Sequence, residues 1–116
     1  MKVFLVSFAV LAGPSFAGPP VVEAALATSR TGNQVKFDVT LSHGDTGWDH
    51  YADGWGVYSP DGTELGYRTL FHPHVNEQPF TRSLTITLPE GITEVLIRPR
   101  DNVHGVGEDF ILKITD

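Results

Sequence analysis

A strict alternation of apolar and polar residues along positions 34–42 limits the fold more than any other feature of this 116-residue chain. Every odd position in this stretch is apolar, and the residues are Val35, Phe37, Val39 and Leu41. A period of two residues is typical of a β-strand with one face in the core. No stretch of ten or more residues shows a sustained helical period, so we predict an all-β protein.

Similar short runs recur along the chain and are separated by turn residues. The predicted strands cover residues 21–29, 34–42, 51–59, 64–71, 80–88, 92–98 and 109–115. Compact turns containing Gly, Pro, Asp or Asn join the first and second, third and fourth, and fifth and sixth strands. Seven antiparallel strands in about 100 residues predict a single immunoglobulin-like or fibronectin-III-like β-sandwich, with Trp55 at the centre of its core.

The first 17 residues have the layout of a secretory signal peptide. Lys2 supplies a positive charge, residues 3–12 are apolar except for Ser7, and small residues occupy positions 15 and 17 before a cleavage site. The apolar run is shorter than the roughly 20 residues that span a bilayer. We therefore expect residues 1–17 to be removed and residues 18–116 to form the sandwich domain. The mature protein is expected to be periplasmic or secreted, without membrane insertion.

The charge balance and the absence of cysteine exclude several functions. The chain has 14 acidic and 8 basic residues and no run of basic residues, which argues against a nucleic-acid partner. A chain without cysteine has no disulfide, iron–sulfur cluster or thiol nucleophile. No nucleophile elbow, phosphate-binding loop or HExxH motif is present either, so we predict no catalytic residues and favour a non-catalytic role.

All five histidines fall in three connections that the sandwich places at one end. His43 and His50 lie between the second and third predicted strands, His72 and His74 between the fourth and fifth, and His104 between the sixth and seventh. Alternate connections of such a sandwich lie at opposite ends, so these three loops are neighbours. Imidazole and carboxylate groups without sulfur ligands suit Zn²⁺, Cu²⁺ or Ni²⁺. We therefore predict a transition-metal site at this end and favour zinc or copper as the ion.

The five histidines differ as candidate ligands. His72 and His74 are the strongest, because the proline between them favours extended backbone, in which both side chains share a face. His50 and His104 follow. His43 comes last: it continues the inward register of residues 35–41 and should lie at the rim of the core.

Four further residues are candidates to complete or orient the ligand shell. Asp49, Asp53 and Glu77 offer carboxylates in or beside the same loops. Arg82 falls on the inward parity of its strand and needs a carboxylate partner there, for which Asp53 is the predicted mate. A structural Arg–Asp pair is favoured, and an anion clamp beside the metal is the alternative.

Two segments carry a family resemblance. Trp-Asp-His-Tyr-Ala-Asp-Gly-Trp at 48–55 and His-Pro-His at 72–74 resemble an uncharacterised family of small bacterial periplasmic immunoglobulin-like β-sandwich proteins. The chain is more distantly similar to the copper-resistance C and sulfur-oxidation Z carriers, although Gly18-Pro19-Pro20 lacks the N-terminal histidine expected of the copper carrier. The resemblance implies a periplasmic binding or carrier role.

Together these features predict a periplasmic carrier or accessory protein that binds a zinc-type or copper-type ion through its histidine-rich loop end. A periplasmic protein is a candidate partner beside the metal ion. Two alternatives remain at this stage. The histidines could form a structural polar network, or the domain could be a metal-free interaction module whose polar loop end docks a partner.

Overall fold

Two antiparallel β-sheets make up residues 18–114, the part of the chain that the computed structural model describes. The predicted signal peptide, residues 1–17, lies outside this range. The strands are β1 (Val21–Ser29), β2 (Gln34–Ser42), β3 (Ala52–Tyr58), β4 (Glu64–Thr69), β5 (Phe80–Thr87), β6 (Glu94–Asp101), β7 (Gly105–Val106) and β8 (Phe110–Lys113). The first sheet has the order β1-β2-β5 and the second β4-β3-β6-β7, with β8 also paired to β6. The predicted all-β sandwich is confirmed.

The structure adds one strand to the seven that the sequence predicts and shifts several strand ends by one to three residues, so that β6 runs on to Asp101. Strand β7 is an additional two-residue strand that pairs with the end of β6. Strand β4 pairs with β3 and therefore belongs to the second sheet. Gly66 allows β4 to approach β5 of the opposite sheet, because a Cβ atom there would lie 2.6 Å from Cγ2 of Ile86.

The core forms where the inward faces of the two sheets meet. The alternating residues of β2 are all buried, as their pattern predicts, and they pack with Trp55 of β3 and Ile97 of β6. Trp55 is fully buried. Burying side chains of this size contributes about 1.5–3 kcal/mol each, and no disulfide supports the domain. Packing therefore supplies most of the stability.

Each sheet sends a polar residue into one end of this core. His43 follows β2 on the parity of Val35 to Leu41 and is 2% exposed. Asp101 ends β6 on the same parity as Val95, Ile97 and Pro99 and is fully buried. Because the two residues come from opposite sheets, they meet across the sandwich at the end where the predicted histidine loops lie.

The three loops at this end are joined to one another by hydrogen bonds. Asn102 donates its side-chain amide to the carbonyl of Trp48 (3.0 Å) and accepts the backbone N–H of Tyr51 (2.9 Å). The backbone N–H of His43 donates to the Gln78 side chain (2.9 Å). These bonds link the three loops at one end of the sandwich. Within residues 18–114 no helix has the length and hydropathy needed to cross a membrane.

Candidate metal centre

Three imidazole rings converge on a single carboxylate oxygen. Oδ2 of Asp101 lies 2.9 Å from Nε2 of His43, 2.9 Å from Nε2 of His50 and 2.9 Å from Nδ1 of His104. Asp101 and the His43 side chain are fully buried, and the His50 side chain is 15% exposed. We call these four residues the histidine–aspartate cluster.

Each member of the cluster is held by the local backbone. His43 follows β2, His50 precedes β3, and Asp101 is the last residue of β6. The other oxygen of Asp101, Oδ1, accepts the backbone N–H groups of Val103 (3.0 Å) and His104. This Asx-type turn directs the His104 ring toward Oδ2 of the same Asp101 carboxylate. The carboxylate therefore orients His104 through backbone and side chain together.

Asp45 fixes the ring of His43 from the opposite side. Its Oδ1 is hydrogen-bonded to Nδ1 of His43 and accepts the backbone N–H of Ala52 (3.0 Å). Its Oδ2 accepts the backbone N–H of His74 (2.7 Å). A carboxylate on one imidazole nitrogen directs the other nitrogen, here Nε2, to the centre of the cluster. Histidines that bind metals are commonly held in this way by a second carboxylate.

The cluster offers the donor atoms of a transition-metal site. One ligand atom each from His43, His50 and Asp101 lie within 4.8 Å of one another. A tetrahedral site with ligands at 2.0–2.2 Å needs separations of about 3.4 Å, which small side-chain movements would reach. His104 adds a third nitrogen beside the same oxygen. Three nitrogens and one oxygen suit Zn²⁺ and Cu²⁺.

The cluster strongly shifts the ionisation of its buried groups. Burial alone would raise the pKa of Asp101, but hydrogen bonds from the His104 ring and backbone, from His50 and from Val103 hold that pKa well below its usual range. Burial likewise opposes charge on His43, yet its bonds to Asp45 and Asp101 raise the pKa of its imidazole. The pKa of Asp45 is lowered against its own burial penalty, mainly by His43.

We expect the metal-free protein to lose stability steeply as the pH falls below about 4. Because the folded-state pKa values of Asp45 and Asp101 are lowered, the unfolded chain binds more protons than the folded protein in this pH range. Each of these carboxyl groups then lowers the free energy of unfolding by about 1 kcal/mol for every unit by which the pH falls. The contribution of His43, whose pKa is raised, is present below about pH 6.5 and is lost as the pH rises through its folded pKa. His74, whose pKa is lowered, acts in the opposite direction near pH 6.5.

Urea unfolding at pH values from 2.5 to 9 measures this profile. The Asp101→Asn variant should show a flatter decline in stability below pH 4 than the wild type. An equal acid decline in wild type and Asp101→Asn would contradict the assignment.

The histidines ranked first by sequence lie beside the cluster and not within it. His74 is buried and stacks on Phe80, and its Nε2 accepts a hydrogen bond from Nη2 of Arg82 (3.0 Å). Burial, then the charges of Arg82 and His72, lower the pKa of His74. His72 is exposed, with its ring centroid 4.6 Å from that of His74. His72 and His74 are linked to the cluster only through Asp45, which accepts the backbone N–H of His74 and is hydrogen-bonded to His43.

The predicted pair between Arg82 and Asp53 is wrong. Arg82 donates to Glu77 (3.2 Å) and His74, and Asp53 is bonded to Arg100 of β6. The parity argument fails because the pairing of β3 with β6 shifts register between Ala52 and Gly54, which changes the direction of the Asp53 side chain. Asp49 lies exposed on the β2–β3 loop, and the Glu77 side chain is also mostly exposed.

Sequence reasoning did not select the two carboxylates at the centre of the site. Asp101 continues the inward parity of Val95, Ile97 and Pro99, in the same way that His43 continues the parity of β2. An acidic residue at a position where the strand pattern predicts a core-facing side chain could therefore have identified Asp101. Asp45 lay two residues after His43, on the same parity, and is buried as well.

Comparisons with known proteins give one informative relative. No family model and no solved structure matches the chain. The chain is similar to a protein of Halomicrobium mukohataei named "Putative lipoprotein", with 49% identity over 96 residues. The match covers 83% of this chain and 47% of that protein, so the chain spans about half the length of the curated relative it matches.

Proposed function

We propose that this chain is an exported protein that binds a divalent transition metal, Zn²⁺ or Cu²⁺, through His43, His50, His104 and Asp101. Its place in a periplasmic or secreted compartment is supported by the signal-like first 17 residues and by the lipoprotein name of the similar protein. The convergence of three imidazole nitrogens on one buried oxygen is the observation that carries the proposal.

The charges of the site favour a divalent cation. His43 has a carboxylate at both ring nitrogens, and the hydrogen bonds to Asp45 and Asp101 raise the pKa of its imidazole and favour the imidazolium form. His43 then places one positive charge between two buried carboxylates. A divalent ion held by three neutral imidazoles would compensate Asp45 and Asp101 completely, leaving one proton on Nδ1 of His43 for Asp45.

The surroundings of the cluster fit a binding protein better than an enzyme. Exposure rises from His43 and Asp101, which are buried, through His50 to His104, whose side chain is 36% exposed. An ion in the cluster would thus be reachable from the His104 side. Because the sequence carries no motif for catalysis, we propose a carrier or accessory role in which the metal is held and exchanged.

Replacing both accessible ligands is expected to remove tight metal binding. We expect the metal-free wild type to bind Zn²⁺ or Cu²⁺ with a dissociation constant below about 1 μM. The His50→Ala/His104→Ala variant should bind the same ion at least 100-fold more weakly. Competitive titration against a chromogenic chelator measures both affinities, with circular dichroism to verify folding. The His72→Ala variant, which removes an exposed histidine outside the cluster, should stay within about threefold of wild type. No wild-type binding tighter than micromolar, or equal binding by the double variant, would reject the proposal.

A further inference from the structure

Five large apolar side chains stand exposed on the three loops and on the short strand β7, at the end of the sandwich that holds the histidine–aspartate cluster. They include the two most exposed aromatic residues among residues 18–114, Phe71 (76%) and Trp48 (65%), and three valines, Val75, Val103 and Val106. Hydrogen bonds between the loops hold them together at this end of the sandwich. We call the exposed part of this end the loop surface. Such a concentration of exposed apolar groups at one end of a small domain is typical of an interaction site.

The loop surface has a uniform sign of charge. Residues 43–51, 70–79 and 102–109 contain no lysine or arginine, but they contain the exposed carboxylates Asp49 and Glu108. Glu77 is also exposed and forms an ion pair with Arg82, and Arg100 of β6 is paired with Asp53. An approaching molecule therefore meets apolar side chains within a negative margin. A molecule complementary to this surface would have a contacting face that is apolar at its centre and positively charged at its edge.

The accessible ligand of the metal site opens on this same surface. His104 lies between Val103 and Val106 in sequence and is the most exposed member of the cluster. A molecule docked on the loop surface would thus contact the metal from the His104 side. This step of the argument rests on the metal-binding function proposed above.

We infer that the loop surface docks a partner protein whose contacting face is apolar with a lysine- or arginine-rich margin, and that metal passes between the two proteins at His104. In this exchange the bond from the metal to Nδ1 of His104 breaks as a neutral imidazole nitrogen of the partner binds. No electron moves and the charge of the metal is unchanged. A second copy of this chain and an anionic membrane fit less well, because both would present negative charge to the negative margin.

Transfer of zinc from the loaded full chain to two designed peptides tests the inference. Both peptides carry the same apolar residues and a pair of histidines, one flanked by lysines and the other by glutamates. Stopped-flow measurement should show transfer to the lysine peptide about tenfold faster at low ionic strength, and the difference should shrink near 0.5 M salt. Equal rates for the two peptides would overturn the inference.

Surface variants separate docking from metal binding. The Trp48→Ser/Phe71→Ser variant should transfer zinc to the lysine peptide at least fivefold more slowly while its equilibrium affinity for zinc stays within about twofold. Ile111→Ser is the matched control: Ile111 is 58% exposed but lies on β8, outside the three loops, and its loss should not alter the rate.

The outcomes distinguish this inference from the proposed function. If the wild type fails to bind zinc, the metal site itself is rejected. If zinc binds but neither peptide charge nor the surface variants change the rate, only the docking surface is rejected. Zinc-dependent dimerisation, or binding to anionic vesicles that the Trp48→Ser/Phe71→Ser change abolishes, would assign the surface to a different occupant and overturn the inference.

Discussion

Replacing Asp101 with alanine is expected to lower the free energy of unfolding of the metal-free protein by about 3–5 kcal/mol. The Asp101 carboxylate accepts hydrogen bonds from three imidazole rings and two backbone N–H groups. Its removal leaves these donors without their acceptor and leaves the buried His43 with one counter-charge. Since domains of this size are typically stable by only 5–15 kcal/mol, the loss is a large fraction of the total. Urea unfolding near pH 6 measures it.

The control for this prediction is Asp109→Ala. Asp109 forms a bidentate ion pair with Arg98, with hydrogen bonds of 2.7 and 3.0 Å, but the Asp109 side chain is about one-third exposed. Water and salt screen such a pair, so its removal should cost at most about 1 kcal/mol. If Asp101→Ala were no more destabilising than Asp109→Ala, the cluster would not organise the end of the sandwich as described.

The second large effect concerns Asp45, which touches the proposed ligand His43 but would not touch the metal. We expect Asp45→Asn to weaken Zn²⁺ or Cu²⁺ binding by about 10–100-fold. The amide can still accept hydrogen bonds, but it has no negative charge to balance the ion or to fix the proton on Nδ1 of His43. Competitive titration at pH 7.5 gives the affinity, and thermal unfolding shows whether the fold is retained.

Asp49→Asn provides a matched comparison for this variant. It makes the same chemical change in the same loop, but Asp49 is exposed, so its charge is screened by water. Its metal affinity should stay within about twofold of wild type. An equal loss in both variants would mean that the general charge of the loop, and not the contact with His43, governs binding.

The sequence was most informative where one face of a strand is buried. Strands β1 and β2 begin and end at the predicted residues, and in β2 a period of two residues between flanking turns defines the strand. The prediction was weaker along 64–71, where Phe71 continues the apolar alternation of an edge segment but is exposed. Edge strands such as β4 are constrained from one side only, so their pattern says less about burial.

The candidate site was predicted by region more accurately than by residue. The sequence placed all five histidines at one end, because alternate connections of a sandwich share an end. It ranked His72 and His74 above the others from local spacing, whereas the structure gathers His43, His50 and His104. These side chains converge because strands of the two sheets end opposite each other, with a core-facing position at each end. That is a tertiary relation, which spacing along a single loop does not contain.

The bond between His43 and Asp101 has a consequence for biogenesis. These residues are 58 positions apart and belong to opposite sheets, so hairpins formed early in folding do not contain both. A partly folded chain would therefore lack the complete site, and the metal ion proposed above would bind only after the two sheets have packed together. Metal occupancy would then distinguish fully folded molecules from folding intermediates.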